Sequence, residues 1–209
     1  MLGNHTEPGP GNRIRIFVDY WNLQLTMSEK SGKSFRFDWN RFPLWLTEIA
    51  TELCYIRDAT FEGMHVYSSY NSDSQKDLNH KRWAQGWLNR QPGVQVSLRE
   101  RQHRPAPSCP NCYHVIGVCP ACNRRMSGTT EKGVDTAIAT DMIRLAWEQV
   151  YDVAVLVSSD ADLIPAVEFL DLRGRKVLQE DSRPWAARSQ PRAGRRSTCL
   201  VGVLSSSDE

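Results

Sequence analysis

The sequence predicts an α/β domain with a mostly parallel central sheet, and three observations support this fold class. Short runs rich in valine and isoleucine, such as Ile14–Val18 and Val153–Val157, alternate along the chain with segments whose apolar residues recur at helical spacing. Strands that alternate with helices are typical of βαβ units, in which a helix crosses between two parallel strands. The chain has 209 residues, of which 40% are hydrophobic, so one such domain can bury a sizeable core.

The first half of the chain contains three predicted strands and two predicted helices. In order, these are strand Arg13–Val18, a helix within Phe37–Ile56, a strand within Thr60–Tyr70, helix Ser74–Arg90 and strand Val94–Leu98. Asp38 is placed to act as the N-cap of the first helix. Pro92-Gly93 turns the chain before the last strand, in which apolar residues alternate with polar ones.

The second half contains two further predicted pairs of helix and strand. These are helix Val134–Val150, strand Val153–Val157, helix Ala161–Leu172 and strand Lys176–Leu178, with Gly174 placed to end the last helix. Residues 1–12 are rich in Gly, Pro and Asn and are expected to be flexible. Residues 181–209 are expected to form a disordered tail, in which the apolar island Cys199–Leu204 either adds an edge strand or packs nowhere.

Composition and charge narrow the possible function classes. The formal net charge is only +2, so any nucleic-acid binding must come from local patches rather than from bulk charge. No run approaches the roughly 18 apolar residues of a membrane span, and the N-terminus has no apolar signal segment. We therefore expect a cytoplasmic protein, in which clustered cysteines bind metal more often than they form disulfides.

Four cysteines form two CxxC motifs that are separated by six residues, Cys109-Pro-Asn-Cys112 and Cys119-Pro-Ala-Cys122. Four thiolates can close a tetrahedral Zn²⁺ site, and such a site has no open position for catalysis. The spacing therefore predicts a structural zinc loop at residues 105–128. The alternatives are reduced or disulfide-linked cysteines in a surface loop, and a site in which His114 replaces one cysteine.

Five aspartates fall where predicted strands end or helices begin. Asp19 follows the first strand, Asp135 and Asp141 lie on one helix, and Asp160 and Asp162 follow the strand after it. In an open α/β sheet, ligand sites gather outside the carboxyl ends of the strands. Converging carboxylates favour a divalent metal with oxygen ligands, and such a metal supports phosphodiester chemistry.

Each of these acids also has a structural interpretation. Asp19 could open a turn with Asn22, and Asp160 could cap the helix that follows it. Asp141 lies beside the apolar stripe of its helix, so its partly buried charge needs either a protein partner or a metal.

Three segments together resemble the NYN domains, which are PIN-like nucleases of the LabA type. In chain order they are Phe17-Val-Asp-Tyr-Trp-Asn-Leu23, Glu131-Lys-Gly-Val-Asp-Thr-Ala-Ile-Ala-Thr-Asp-Met142 and Val157-Ser-Ser-Asp-Ala-Asp-Leu-Ile-Pro165. The resemblance covers roughly residues 13–178, and we assign residues 13–180 to this domain. It implies a PIN-like Rossmannoid three-layer sandwich with an acidic pocket that binds Mg²⁺ or Mn²⁺ and hydrolyses RNA.

The resemblance also implies roles for particular residues. Asp19, Asp135 and Asp160 match the metal-site acids of the family, and Asp162 and Asp141 match its additional acidic positions. Asn22 matches the polar residue that accompanies the first acid. Asp162 could orient the attacking water instead of binding metal, so the expected catalytic set is Asp19, Asp135, Asp160 and Asp162.

Arginines around the zinc loop could contact the phosphates of RNA, as could the arginines of the tail. The loop arginines are Arg99, Arg101, Arg104, Arg124 and Arg125, and the tail arginines are Arg183, Arg188, Arg192, Arg195 and Arg196. Trp21, beside Asp19, is a candidate for stacking on a base. Trp83 and Trp87, one helical turn apart, are expected in the core.

The sequence thus favours a metal-dependent RNA endonuclease acting on single-stranded RNA. Two alternatives remain open at this point. One is a non-catalytic RNA- or protein-binding module that uses the zinc loop as its contact surface, and the other is a phosphatase-like α/β enzyme. The absence of Asp-x-Asp after the first strand disfavours the phosphatase class. A homodimer or a protein partner also remains open.

Overall fold

The five main strands of the central sheet are separated along the chain by helices, as the sequence predicts. In chain order the elements are β1 (Arg13–Asp19), α1 (Tyr20–Ser31), α2 (Phe42–Leu53), β2 (Thr60–Tyr70), α3 (Gln75–Gly86), β3 (Val94–Glu100), β4 (Gln102–Arg104), β5 (Gly128–Thr130), α4 (Val134–Trp147), β6 (Val153–Val157), α5 (Ile164–Leu172), β7 (Lys176–Glu180) and β8 (Thr198–Val201). Short 3-10 turns lie at Leu88–Arg90 and Ala161–Leu163. This computed structural model describes residues 12–31, 37–180 and 198–201, and at residues 30, 31, 180 and 198–201 it describes the backbone alone.

The centre of the fold is a parallel sheet of five strands in the order β3-β2-β1-β6-β7, which the short strand β8 extends at the β7 edge. The predicted α/β class with a mostly parallel sheet is confirmed. Of the two possibilities for the apolar island near the C-terminus, the structure has the edge strand, at Thr198–Val201. The predicted flexible N-terminal segment, apart from Asn12, and the rest of the predicted tail lie outside the described residues.

The chain reverses its direction across the sheet at β1. It begins in the middle at β1, moves outward through β2 to β3, then returns to pair β6 with the other side of β1. Val18 of β1 is level with Val157 of β6, so the residues that follow each strand emerge at the same edge. In sheets of this type, that reversal opens a crevice beyond the carboxyl ends of the two strands.

Helices cover both faces of the sheet, which makes three layers. On one face, Ile16 and Val18 pack with Leu46 of α2 and with residues of α1. On the other face, Phe17 packs with Ile138 of α4 and with residues of α5. Alternate residues of β1 thus serve opposite cores, and each fully buried aliphatic side chain contributes roughly 1.5–3 kcal/mol.

Helix α1 is the one α-helix that the sequence pattern did not predict. It begins directly after β1 without a turn residue, and its apolar residues do not form a clean stripe, because Leu23 is buried whereas Leu25 is 63% exposed. The predicted N-cap of α2 was also wrong. Asp38 lies before the helix, where its main-chain oxygen accepts from the N–H of Phe42, and the N-cap residue is Arg41.

The tryptophan prediction was half right. Trp83 of α3 packs against the core, whereas Trp87, which caps that helix, stacks on Trp83 and is 38% exposed. No helix in the described ranges is both long and apolar enough to cross a membrane.

Asp152 joins the start of β1 to the starts of β6 and β7. Its carboxylate accepts from the Arg13 guanidinium at 3.0 and 3.1 Å, from the Arg13 main-chain N–H at 3.1 Å and from the Arg175 guanidinium at 3.1 Å. Burial acts to raise the pKa of Asp152, but these hydrogen bonds and the two positive charges outweigh it and hold the pKa below its usual range.

We expect Asp152→Asn to lower the free energy of unfolding by roughly 2 kcal/mol at pH 7, because it removes a charged acceptor of four hydrogen bonds. The depressed pKa gives stability above about pH 4 that is lost as the pH falls through the folded-state value. Urea unfolding at pH 7 and pH 3 measures this, and the difference between variant and wild type should shrink at pH 3. Glu148→Gln, which breaks an exposed pair with Arg144, is the matched control and should cost less than about 0.5 kcal/mol. An equal loss in both variants would contradict the assignment.

Candidate functional site

Three of the predicted acids meet in the crevice beyond β1 and β6. Asp19 is the last residue of β1 and is buried, Asp160 follows β6, and Asp135 lies in the first turn of α4. The pKa of Asp19 is raised to about 6, chiefly by burial, although the N–H of Asn22 opposes that rise. The charges of Glu131, Asp135 and Asp160 contribute to the rise, so all three carboxylates act on Asp19.

The pKa of Asp135 is raised for the same reasons as that of Asp19. Burial raises its pKa first, and the charges of Asp160, Glu131 and Asp162 add to the effect. Asp162 is exposed at the rim of the crevice, and its N–H donates to the Asp160 carboxylate at 2.9 Å. The capping interpretation of Asp160 is therefore also correct, and one of its oxygens holds the 3-10 turn while its charge acts on the crevice.

Glu131 is the functional candidate that the sequence analysis missed. It precedes α4 and accepts a hydrogen bond from the hydroxyl of Ser69, which is buried near the end of β2. Its charge raises the pKa of both Asp19 and Asp135. The signal that could have found it is its place in the segment that resembles the NYN domains, four residues before Asp135.

Asn22 holds the two halves of the crevice together. Its main-chain N–H donates to Asp19 at 3.1 Å, which confirms the predicted turn, and its side-chain oxygen accepts from the N–H and the hydroxyl of Ser159 at 3.0 and 3.1 Å. Asn22 therefore fixes the loop that carries Asp160 relative to Asp19.

The structure does not bring Asp141 to the other acids. One of its oxygens accepts from the Tyr67 hydroxyl at 2.9 Å and the other from the Arg144 guanidinium at 3.1 Å. These partners give Asp141 a structural role, and its binding role stays a prediction. The helical wheel correctly indicated a charge that needs a partner, and the partners are a tyrosine and an arginine.

Trp21 lies beside the crevice, where its indole nitrogen makes a hydrogen bond and its ring contacts an arginine. Its indole N–H donates to the main-chain oxygen of Ser69 at 2.7 Å. The guanidinium carbon of Arg101 lies 5.3 Å from the centre of its ring. A base that stacked on Trp21 would therefore meet an arginine already in place.

The predicted zinc loop consists of two similar hairpins at the end of the short antiparallel ribbon of β4 and β5. In the first hairpin, Cys109 donates its N–H to the oxygen of His114 and accepts from the N–H of Tyr113. In the second, Cys119 makes the equivalent bonds with Arg124 and Asn123. The residue after each second cysteine is left-handed, with φ of 58° at Tyr113 and 56° at Asn123.

Each hairpin directs backbone N–H groups at its first cysteine. The N–H groups of Cys112 and Asn111, and then the Cys112 side chain, lower the pKa of the Cys109 thiol. The N–H groups of Cys122 and Ala121, with the Cys122 side chain, do the same for Cys119. A lowered pKa favours the thiolate, which is the form that binds metal. Arg124 and Arg125 lie on the outer arm of the second hairpin and are exposed.

Both donor sets fit the metals that the sequence predicts, although the part of the chain that the structure describes contains no group of three or more His, Cys, Asp or Glu side chains closed around a common point. The crevice offers carboxylate oxygens whose mutual repulsion a hard cation would relieve. The loop offers four cysteines in two hairpins that favour thiolates, and thiolates suit Zn²⁺.

Comparison with known proteins identifies a family. The sequence pattern described as the NYN domain matches residues 13–191. No curated protein matches the chain significantly. Among solved structures, the crystal structure of a protein of unknown function from Vibrio parahaemolyticus is 22% identical, covers 84% of each chain and superposes with a TM-score of 0.49.

Proposed function

The chain belongs to the NYN domain family, a PIN-like nuclease family, and from that premise we propose that it is a metal-dependent endonuclease that hydrolyses phosphodiester bonds in single-stranded RNA. The observation that carries the proposal is the convergence of Asp19, Glu131, Asp135 and Asp160 at the crevice of the sheet. Asp19 is buried and lies among three other acids, an arrangement that a metal-free binding protein has no reason to maintain.

We assign Asp19, Asp135 and Asp160 as the residues that would hold Mg²⁺ or Mn²⁺, with Glu131 as a fourth oxygen donor. When bound, such an ion activates water and stabilises the charge that develops on the phosphate. Asp162 stands at the rim, where its carboxylate can orient a water from solvent. Ser69 fixes Glu131 by donating its hydroxyl, so the donor set is positioned by strand and helix ends and not by a free loop.

Crowded acids explain why activity should require the cation. RNA is a polyanion, and four carboxylates in one crevice repel its phosphates. A bound divalent ion removes that repulsion at the same place where the scissile phosphate must approach.

We further propose that Cys109, Cys112, Cys119 and Cys122 bind one structural Zn²⁺. The support is the pair of matched hairpins, each of which stabilises a thiolate. Zinc would hold together residues 105–128, a segment in which no residue is buried and which therefore has little apolar burial to order it.

The test is cleavage of an end-labelled single-stranded RNA with Mg²⁺, with Mn²⁺ and without added divalent metal. Omitting metal is preferable to EDTA, which would also remove zinc. We expect cleavage only with added metal, and loss of cleavage in Asp160→Asn. Asp171→Asn, an acid in the last turn of α5 at the opposite end of the sheet, is the matched control and should cleave normally. Cleavage by Asp160→Asn at the wild-type rate would overturn the proposed site.

Asn22→Ala is expected to lower both stability and cleavage. It removes the acceptor of two hydrogen bonds from Ser159, so the free energy of unfolding should fall by roughly 1–2 kcal/mol. It also frees the loop that carries Asp160, and small displacements of a reacting group can cost about tenfold or more in rate.

Thermal unfolding and the RNA assay measure the two effects of Asn22→Ala. Asn79→Ala, whose exposed side chain bonds only within its own helix in the described structure, is the control and should change neither. A fully active Asn22→Ala variant would show that Ser159 does not need this anchor.

A further inference from the structure

We propose that Arg101 is a phosphate-binding residue that holds the RNA backbone beside the acidic crevice, with Trp21 as the platform that orients its guanidinium. The inference rests on the proposed function for its ligand. It assigns a site to one arginine and gives Trp21 a different role from the base stacking that the sequence suggested.

Arg101 is fixed at the carboxyl edge of the sheet. It follows β3 directly, and its main-chain N–H donates to the oxygen of Tyr70, the last residue of β2, at 2.8 Å. It therefore stands at the same edge as Asp19, two strands along in the sheet.

The guanidinium of Arg101 turns back across β2 toward the acids. Its Nε donates to the Ser69 hydroxyl oxygen at 2.9 Å, and that hydroxyl donates in turn to Glu131. One serine thus joins the arginine to the acidic cluster. Among the described residues Arg101 makes no ion pair with a carboxylate, so its charge is held near the acids without being neutralised by one of them.

The platform under Arg101 is held in place by several contacts. The Trp21 nitrogen is bonded to Ser69, and its ring contacts Tyr20 and His80, each with centres 5.1 Å away. The pKa of His80 is lowered to about 4, chiefly by burial; the charge of Asp77 opposes this shift and the charge of Arg101 adds to it. The imidazole is therefore neutral at neutral pH. The platform therefore adds no positive charge that would push the guanidinium away.

This arrangement suits a phosphate better than a base or a carboxylate. The Nε of Arg101 is bonded to Ser69 and one face of its guanidinium lies on Trp21. The terminal N–H groups remain, and these are the groups that bind phosphate oxygens in pairs. The stacking fixes the plane of the guanidinium, so less freedom is lost when the phosphate binds. For cleavage at the neighbouring acids, the RNA backbone must pass close to Arg101. The unneutralised guanidinium at this edge of the sheet can then bind the phosphate next to the scissile one.

Binding can be measured apart from cleavage by using Asp160→Asn protein and a fluorescein-labelled uridine 12-mer. Anisotropy titrations at several salt concentrations give the affinity and its salt dependence. We expect the further change Arg101→Gln to weaken binding by about tenfold and to lower the slope of log affinity against log salt by roughly 0.7, the value for one phosphate contact on a single strand. Arg101→Lys should restore most of the slope, because the charge returns.

Arg173→Gln is the matched control, since its guanidinium also lies 5.3 Å from an aromatic ring, that of Phe169, but at the other end of the sheet. Its affinity and slope should equal those of the parent. If Arg101→Gln leaves the slope unchanged, or if Arg101→Lys restores nothing, Arg101 only packs on Trp21 and the proposal is wrong. RNA binding with the expected slopes but without wild-type cleavage would support Arg101 while overturning the nuclease. No RNA binding by the parent would overturn both.

Discussion

Replacing Asp19 with asparagine is expected to abolish metal-dependent cleavage, at least 100-fold, and at the same time to stabilise the metal-free protein. Asp19 is buried among Glu131, Asp135 and Asp160, and its pKa of about 6 shows that the folded protein resists its ionisation. Asparagine keeps an oxygen that can accept from the Asn22 N–H but carries no charge. We therefore expect a gain of about 1–2 kcal/mol at pH 7.5, somewhat below the value that a two-unit shift would give.

The sign of this effect can be checked by pH. A carboxyl whose pKa is raised by folding makes the native state bind more protons, so its contribution to stability falls as the pH rises from about 4 to about 6. Urea unfolding without divalent metal should show that fall in the wild type and a weaker one in Asp19→Asn. Mg²⁺ should then stabilise the wild type more than the variant. A variant that is less stable at pH 7.5, or that still cleaves RNA, would contradict this account of the crevice.

Removing one of the four proposed zinc ligands is expected to have a large but local effect. Cys112→Ser should lower bound zinc from one per chain to near zero, because three thiolates and a serine bind Zn²⁺ far more weakly than four thiolates. The two hairpins should then lose their order, while the melting temperature of the rest of the protein changes by only a few degrees, because none of the hairpin residues is buried. Elemental analysis and hydrogen exchange over residues 105–128 measure the two effects.

Cys54→Ser is the control for the zinc experiment, since Cys54 packs against the core at the end of α2, away from the loop. It should keep its zinc. Wild-type protein that is purified under reducing conditions and contains no zinc would show that the paired CxxC spacing was misinterpreted.

The strands and most helices could be predicted from the sequence because their signals are local. Alternation or continuous apolarity marks β1, β3 and β6, and Gly174, left-handed with φ of 76°, does end the last helix as predicted. Asp19, Asp135 and Asp160 could be placed together because strand order in such sheets follows a few rules. Helix α1 was missed because its apolar residues are spread around it, so that packing and not pattern decides its structure.

The supporting residues could not be predicted, because their roles depend on contacts between distant parts of the chain. Ser69 and Glu131 are 62 residues apart, and Tyr67 and Asp141 are 74 apart. Ser69 links Arg101 to Glu131, but the sequence around it looks like that of any other serine in a strand. Asp141 is a related case, since its place on the helix indicated a charge that needs a partner, but only the structure shows that one partner is the distant Tyr67.

The pairing of β1 with β6 also has a consequence for how the protein folds. Arg13 and Asp152, which meet at the start of this pair, are 139 residues apart, whereas β1, β2 and β3 can assemble within the first half of the chain. Closing so long a loop is entropically slow, and contacts of large sequence separation lengthen folding times. The acids of the crevice come from both sides of that pair. We therefore expect the folding transition to end with the docking of the two halves, and a chain still emerging from the ribosome to have no complete set of acids.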